Sequence, residues 1–263
     1  MSTTMTGPGR DNVGRGIILA LFAILIFSTQ DATSKFLVQS ISPFQMTMMR
    51  FWAFAAFALV LAWRQGPLRD AFRSRHPVLQ TLRGMLLVAD IWMYVLALST
   101  VALSAVQSIT LVYPLLVTLF AIPLLGEKVG AFRIVAVIVG FLGALVIVRP
   151  GGVPLDWGVF FAIGSGSAYA LYIVLTRKVS ATDSATTSMV YTGAVGLVIS
   201  SGVGVFFWQP LDLTSTLLVG YIMLTGVVAH GMMILALSMA PASVLQPFNY
   251  TSLPWSIRSC RSG

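Results

Sequence analysis

The 263-residue chain is 57% hydrophobic and only 9% charged, whereas a soluble domain carries about 25% charged residues. With a mean hydropathy of +0.90 there is too little charge to coat a soluble surface, which argues against a soluble enzyme or binding module. The net charge of +8 lies in short loops between apolar runs, where membrane orientation places bases, so no nucleic-acid partner is expected.

Apolar runs of about 18 residues or more recur along the chain and read as membrane helices. They predict nine spans, roughly over 16–37, 43–63, 79–99, 103–125, 131–148, 157–176, 185–207, 214–238 and 242–257. Strands of a membrane barrel would alternate apolar and polar residues, and runs such as Ala53 to Ala62 do not. Arg10 and Arg15 precede a run of full spanning length, so it reads as the first helix and not as a cleaved signal. The single cysteine, Cys260, permits no internal disulfide, and the sequence offers no metal cluster or cofactor motif.

With the N-terminus inside, the inner segments collect Arg10, Arg15, Arg64, Arg69, Arg73, Arg75, Arg83, Lys128, Arg133, Arg177 and Lys178. The outer loops collect Lys35 and Arg149. This asymmetry predicts a cytoplasmic N-terminus and a cytoplasmic 64–78 loop.

A displacement of 139 residues superimposes two stretches of the chain. It pairs Val88 with Val227, Met93 with Met232, and Leu96-Ala97-Leu98-Ser99 with Leu235-Ala236-Leu237-Ser238. It also pairs Ser104 with Ser243 and Gln107 with Gln246, so span three matches span eight and span four matches span nine. Five spans separate the copies, an odd number, so they face opposite ways in the membrane. Inverted repeats of this kind belong to secondary transporters that alternate access around a midplane site. The expected organisation is a tail over 1–15, a first five-helix repeat over 16–150, and a second repeat over 151–257 with four helices. A tenth helix should follow span nine, but the chain continues as Arg258-Ser259-Cys260-Arg261-Ser262-Gly263. That tail reads as a truncation or a frame change near Ile257. A genuine nine-helix protein is the alternative, as is an inactive truncated transporter.

Several motifs, in order, carry a family resemblance: Phe44 to Phe51 with Arg50, Ala97-Leu98-Ser99 followed by Ser104-Ala105, and Tyr113-Pro114. Leu125-Gly126-Glu127-Lys128, the Arg149-Pro150-Gly151 turn and Ala236-Leu237-Ser238 complete the set. On these the chain resembles the EamA branch of the drug/metabolite transporter superfamily over about 16–257. The resemblance implies an all-α polytopic membrane protein with ten helices in two inverted halves. It also implies transport of small organic solutes such as amino acids, vitamins or nucleotide-like metabolites, in a bacterial inner membrane. The missing tenth helix is a departure from that pattern.

Ionisable groups within a bilayer cost at least ~2.5–3.5 kcal/mol on insertion scales, so each asks for a reason. Four are expected at membrane depth: Asp31, Arg50, Asp90 and His230. Helical rise puts Asp31 about 22 Å from the inner face and Arg50 about 10 Å from the outer face, nearly level in a core of about 30 Å. They could therefore pair, or Arg50 could grip an anionic group with two N–H bonds. Asp90 falls about 16 Å in, near the midplane. Its repeat mate is Ala229, beside His230, so each half sets a titratable residue at one point of the same helix. Protons are the candidate coupling ion. Gln107, Tyr113, Gln246, Asn249 and Tyr250 lie on spans four and nine, where amides and phenols suit neutral or zwitterionic solutes. Pro114 and Pro254 can bend these spans and free carbonyls. For every one of these residues a bland structural role, as ion pair or interhelical glue, stands beside the functional one. A homodimer is held open.

Ala136-Gly140-Ala144, Ala162-Gly166-Ala170 and Gly196-Ser200-Gly204 are stripes of small residues that fit close helix contact. Gly164-Ser165-Gly166 has no lysine partner and is no phosphate loop. Glu127 and Lys128 suit capping or pairing at a helix end. The rival function is a membrane hydrolase using Ser165 and His230. The expected depths separate that pair by about 12 Å, beyond hydrogen-bond reach.

Overall fold

The computed structural model describes residues 10–127, 129–148 and 156–252, and the described residues are helical throughout apart from turns. In chain order the α-helices are α1 (Arg10–Leu37), α2 (Pro43–Gln65), the short α3 (Leu68–Ala71), α4 (Pro77–Thr100), α5 (Leu103–Thr110) and α6 (Tyr113–Leu125). They continue as α7 (Ala131–Val148), α8 (Trp157–Val179), α9 (Ala185–Gly204), α10 (Leu213–Met239) and α11 (Ala242–Leu245). Short 3-10 turns follow α9 over Val205–Phe207 and α11 over Gln246–Ser252. Seven helical stretches among the described residues are long and apolar enough to cross a bilayer. Span nine begins as α11 and its 3-10 continuation. The 258–263 tail, on which the expectation of a truncated second repeat rests, Lys128 and the Arg149-Pro150-Gly151 turn lie outside the described residues.

Span four is two helices, not the single one expected. Pro114 has no N–H to offer the Thr110 carbonyl, so α5 stops at Thr110 and α6 restarts at Tyr113. Val112 bridges the break, accepting from Leu115 and Leu116 at 3.1 and 3.3 Å.

The helix pairing displays the inverted repeat. The most extensive contacts join α4 to α8, α1 to α10, and α2 to α9. Exchanging the halves swaps the first two pairs and returns the third to itself. Capping follows the same symmetry. Ser42 caps α2 by accepting from Phe44 N at 3.3 Å, and Ser184 caps α9 by accepting from Thr187 N at 3.0 Å. Lys35 Nζ donates to Leu98 and Val101 carbonyls at 2.7 and 3.0 Å, closing the C-terminus of α4. Arg177 Nη1 donates to Leu237 and Ser238 carbonyls at 2.9 and 3.3 Å, closing α10. Leu98 and Leu237 are mates under the 139-residue displacement. A helix end has four orphan carbonyls and a partial negative charge, so a base there satisfies both needs. Glu127 does the converse for α11, accepting from Ala242 N at 3.2 Å and Ser243 N at 3.4 Å. That is the capping role expected of it.

Small residues set how closely α2 and α9 approach. A Cβ at Gly196 would lie 2.0 Å from Phe51 Cδ1, and one at Gly204 2.8 Å from Met48 Cβ, so the third stripe faces α2 as expected. In the second stripe Ala162 and Ala170 are fully buried and Gly166 abuts Thr110. In the first stripe the side-chain positions Gly140 and Ala144 lie outside the described residues. Beside the third stripe, a Cβ at Gly193 would sit 2.9 Å from the Cα of Ala55. Backbone cannot rotate aside as a side chain can. Gly193→Val is therefore expected to destabilise the protein by about 1–3 kcal/mol through overpacking. Gly220, with nothing within 4 Å of its virtual Cβ, should accept valine with little change. Melting of the two variants in detergent checks the contrast.

One inner-segment base is misplaced by the sequence reading. Arg83 was counted with the loop charges but sits inside α4 with no exposed surface. Its Nε and Nη2 donate to Gln80 Oε1 at 3.2 and 2.9 Å, and Nη1 donates to Thr176 Oγ1 at 3.2 Å. Nη2 also reaches Thr192 Oγ1 at 2.7 Å and the Ser188 carbonyl. Gln80 Nε2 passes the network on to Asp183 Oδ2 at 2.9 Å. Asp183 sits between α8 and α9 and also accepts from Ser74 Oγ and, at 3.0 Å, from Arg75 N. It thereby ties the 64–78 loop to the second half.

Desolvation works to raise the Asp183 pKa, but the bonds from Gln80, Ser74 and Arg75 N, with His76 nearby, hold it below the usual carboxylate value. A lowered pKa contributes stability above the unfolded value and loses it as pH falls through the folded one. Asp183→Asn should therefore cost about 1 kcal/mol at pH 7, the edge position limiting the loss. The gap should close below about pH 4. Melting curves of both proteins from pH 3 to 7 check this, and a pH-independent gap would contradict the clamp.

Candidate functional site

Between the halves lies a cavity of about 150 Å³, roughly ten times the ~10–15 Å³ that holds one water. Helices α1, α2, α4, α5, α6, α8 and α10 all reach it. Seven of the nine residues singled out in the sequence line it: Asp31, Arg50, Asp90, Gln107, Tyr113, His230 and Asn249. Gln246 lines a much smaller neighbouring void with Tyr113, Tyr169 and Asn249. The Tyr250 side chain lies outside the described residues.

Of the two alternatives that level depths left open, an Asp31–Arg50 pair does not form within 4 Å among the described residues. Arg50 Nη2 donates to Gln30 Oε1 at 3.0 Å, and Gln30 in turn donates to Thr225 Oγ1 at 2.9 Å. Asp31 accepts instead from Gln107 Nε2 at 3.1 Å. Among the described residues the ion pair closer than 4 Å is the exposed Asp70–Arg73. Level depths along two helices do not fix azimuth, which is why the pairing argument failed.

Asp90 is nine-tenths buried and accepts from Ser165 Oγ at 2.7 Å. The Ser165 proton is thus directed at a carboxylate. His230 is flanked by Phe27 and Phe54, with ring centroids at 4.9 and 6.0 Å. The Ser165–His230 arrangement of a hydrolase is therefore not what the chain builds. His230 Nδ1 and Gln107 Oε1 are buried without a hydrogen-bond partner.

Tyr113 meets Tyr169 edge to face at 5.0 Å, and Tyr169 stacks on Tyr172 at 5.8 Å. Gln246 and Asn249 are buried and bonded to each other, Asn249 Nδ2 to Gln246 Oε1 at 3.0 Å. The broken span contributes directly. The Thr110 carbonyl that Pro114 leaves without a helical donor points at α8, where a Cβ on Gly166 would be 3.1 Å from it.

Sequence reasoning missed Gln30, Tyr94, Thr110 and Tyr169 as lining residues. Helical spacing was an available signal. Tyr94 follows Asp90 by four residues and Tyr169 follows Ser165 by four, so each shares a face with a residue already under scrutiny.

The sequence pattern of the EamA-like transporter family matches residues 14–149, more than half of the chain. The chain belongs to the EamA-like transporter family. Curated relatives agree. An S-adenosylmethionine uptake transporter of Rickettsia prowazekii (strain Madrid E) is 23% identical over 240 residues, covering 90% of this chain and 80% of that one. A riboflavin transporter of Rhizobium johnstonii is 24% identical over 249 residues, covering 92% and 82%. A solved crystal structure superposes with a TM-score of 0.76 at 20% identity, over 92% of this chain and 86% of its own, which supports the fold. This EamA-like transporter is thus an integral inner-membrane carrier of small molecules and not an enzyme, and the hydrolase reading falls.

Proposed function

We propose that the protein is a secondary transporter of a small organic metabolite, working by alternating access of two inverted repeats over 16–150 and 151–257. The cavity between the halves carries the reading, because it gathers the charged and amide groups that a bilayer penalises into one solute-sized space. Asp31, Arg50, Asp90, Gln107, Tyr113, His230 and Asn249 are its proposed solute contacts, with Gln246 and Tyr250 behind them. Relatives named for S-adenosylmethionine uptake and riboflavin support a metabolite of that size. Asp90 is the proposed carrier of a coupling proton, since it is the carboxylate that the midplane estimate favours.

The proposed orientation places the N-terminus and the 64–78 loop in the cytoplasm. Arg83 and Arg177 are engaged in the fold, yet Arg10, Arg15, Arg64, Arg69, Arg73, Arg75 and Lys178 still outnumber the outer bases. Single cysteines at Arg69 and Phe206, both exposed, should react with an impermeant reagent from opposite sides.

The test of function uses vesicles containing the protein and a panel of labelled metabolites. Ser28 lines the cavity. In a Ser28→Cys, Cys260→Ser protein, the transported solute should protect the new thiol from modification. Transport without protection would remove the cavity from the solute path.

A further inference from the structure

Resting on that reading of the cavity, we infer that the solute is a net-cationic, ring-bearing metabolite that also carries an anionic group. Its anionic end lies at Arg50 and its cationic end at Asp31 and Asp90. The charged residues lining the cavity are two carboxylates, Asp31 and Asp90, and one guanidinium, Arg50. With both carboxylates ionised and His230 uncharged, the state we assign to the solute-loaded carrier, the wall carries one uncompensated negative charge, and a buried charge is retained only with a partner. Two further acceptors face the same need for donors. Gln107 Oε1 is buried and unpartnered, and the Thr110 carbonyl has lost its helical donor at Pro114. A cationic N–H-bearing or sulfonium-like group satisfies the carboxylates by charge and, where it carries N–H, the free acceptors by hydrogen bonds.

Arg50 offers the complementary chemistry. A guanidinium carries five N–H donors, and for Arg50 the hydrogen bond among the described residues engages one, with Gln30. Arg83 shows what a purely structural arginine looks like in this bilayer. Its Nε, Nη1 and Nη2 all reach protein acceptors, and its guanidinium sits 5.5 Å from the Tyr172 ring centre. Arg50 is left with donors in the planar fork that fits a carboxylate. Tyr94, Tyr113 and Tyr169 line the same cavity with aromatic rings, suited to stacking and to cation–π contact. A neutral flat ring alone would leave the excess carboxylate charge uncompensated and, without a donor, Gln107 Oε1 unsatisfied, a cost that argues against that class.

Four probes separate the features: S-adenosylmethionine (cationic, carboxylate, ring), tryptophan (carboxylate, ring, no net charge), lysine (cationic, carboxylate, no ring) and riboflavin (ring, uncharged). Each is titrated against modification of the Ser28→Cys, Cys260→Ser protein in vesicles. S-adenosylmethionine should protect at about tenfold lower concentration than tryptophan or lysine, and about a hundredfold lower than riboflavin. Asp31→Asn, if its melting temperature is unchanged, should reduce the preference for S-adenosylmethionine over tryptophan by about tenfold. Arg50→Lys should weaken the three carboxylate probes and leave riboflavin unaffected. A merely structural role for these residues would shift all probes together and overturn the assignment. Protection by riboflavin as good as by S-adenosylmethionine would overturn the solute class while leaving the cavity as the site. Transport of a probe that gives no protection would instead defeat the cavity reading. If no probe protects and none is transported, the class is wrong.

Discussion

Arg83→Met is expected to destabilise the protein by about 2–4 kcal/mol, whereas Arg50→Met should cost about 1 kcal/mol or less and abolish transport. Two effects oppose each other at Arg83. Removing a fully buried cation that has no adjacent carboxylate relieves a desolvation cost. Methionine, however, offers no donor, so Gln80 Oε1, Thr176 Oγ1 and Thr192 Oγ1 lose theirs, while the Ser188 carbonyl keeps the bond from Thr192 Oγ1 at 2.8 Å. Gln80 has no way to turn and recover, because its Nε2 already holds Asp183 Oδ2 and Ser188 Oγ. The stranded acceptors outweigh the relief, and α4 loosens from α8 and α9. At Arg50 the loss is one bond to Gln30, which keeps its own bond to Thr225. The fold should hold while the solute loses its anion partner. Melting temperature and vesicle transport, measured on both variants, give the crossed pattern. A stable Arg83→Met protein, or a transporting Arg50→Met protein, would refute the corresponding half.

The two arginines also show what the sequence could reveal. Both stand inside apolar runs, and hydropathy flags each as costly. The orientation rule absorbed Arg83, since a base one turn into a span reads as a loop charge. Only its azimuth, towards the threonines of α8 and α9, identifies it as buried. Helix positions and the inverted repeat were legible because the apolar period and the shared Leu-Ala-Leu-Ser stretch are local properties. The candidate residues were legible because a bilayer penalises polarity wherever it occurs. Pairing was not, because depth is encoded along one helix while azimuth depends on how several helices pack. The Asp31–Arg50 pairing failed for that reason, and the Asp90–Ser165 bond went unseen. The break in span four lay between, with Pro114 announcing it and the sequence leaving open whether the helix would bend or stop.

Asp90→Asn is expected to abolish gradient-driven accumulation, while solute exchange across the membrane persists. The substitution preserves shape, and the amide oxygen still accepts from Ser165 Oγ, which is 2.7 Å from the carboxylate. Stability should therefore change little, and what disappears is the capacity to take up and release a proton. A carrier that couples to protons needs such a group on the solute path, reachable as the halves rock. Asp90 lies on α4, which packs most extensively against α8 of the other half, so its surroundings change when the halves move. Exchange needs only that loaded carriers reorient, so it should survive at saturating solute, with a weaker apparent affinity because Asp90 also faces the solute's cationic end. Ser165→Ala supplies the control. It removes the hydrogen bond but leaves the carboxylate, so it should alter apparent affinity and its pH dependence without uncoupling transport. The measurement is accumulation of labelled solute in vesicles under an imposed pH gradient, alongside exchange without one. Full accumulation by Asp90→Asn at every pH would rule Asp90 out as the coupling group, and Asp31 would then be the carboxylate to test.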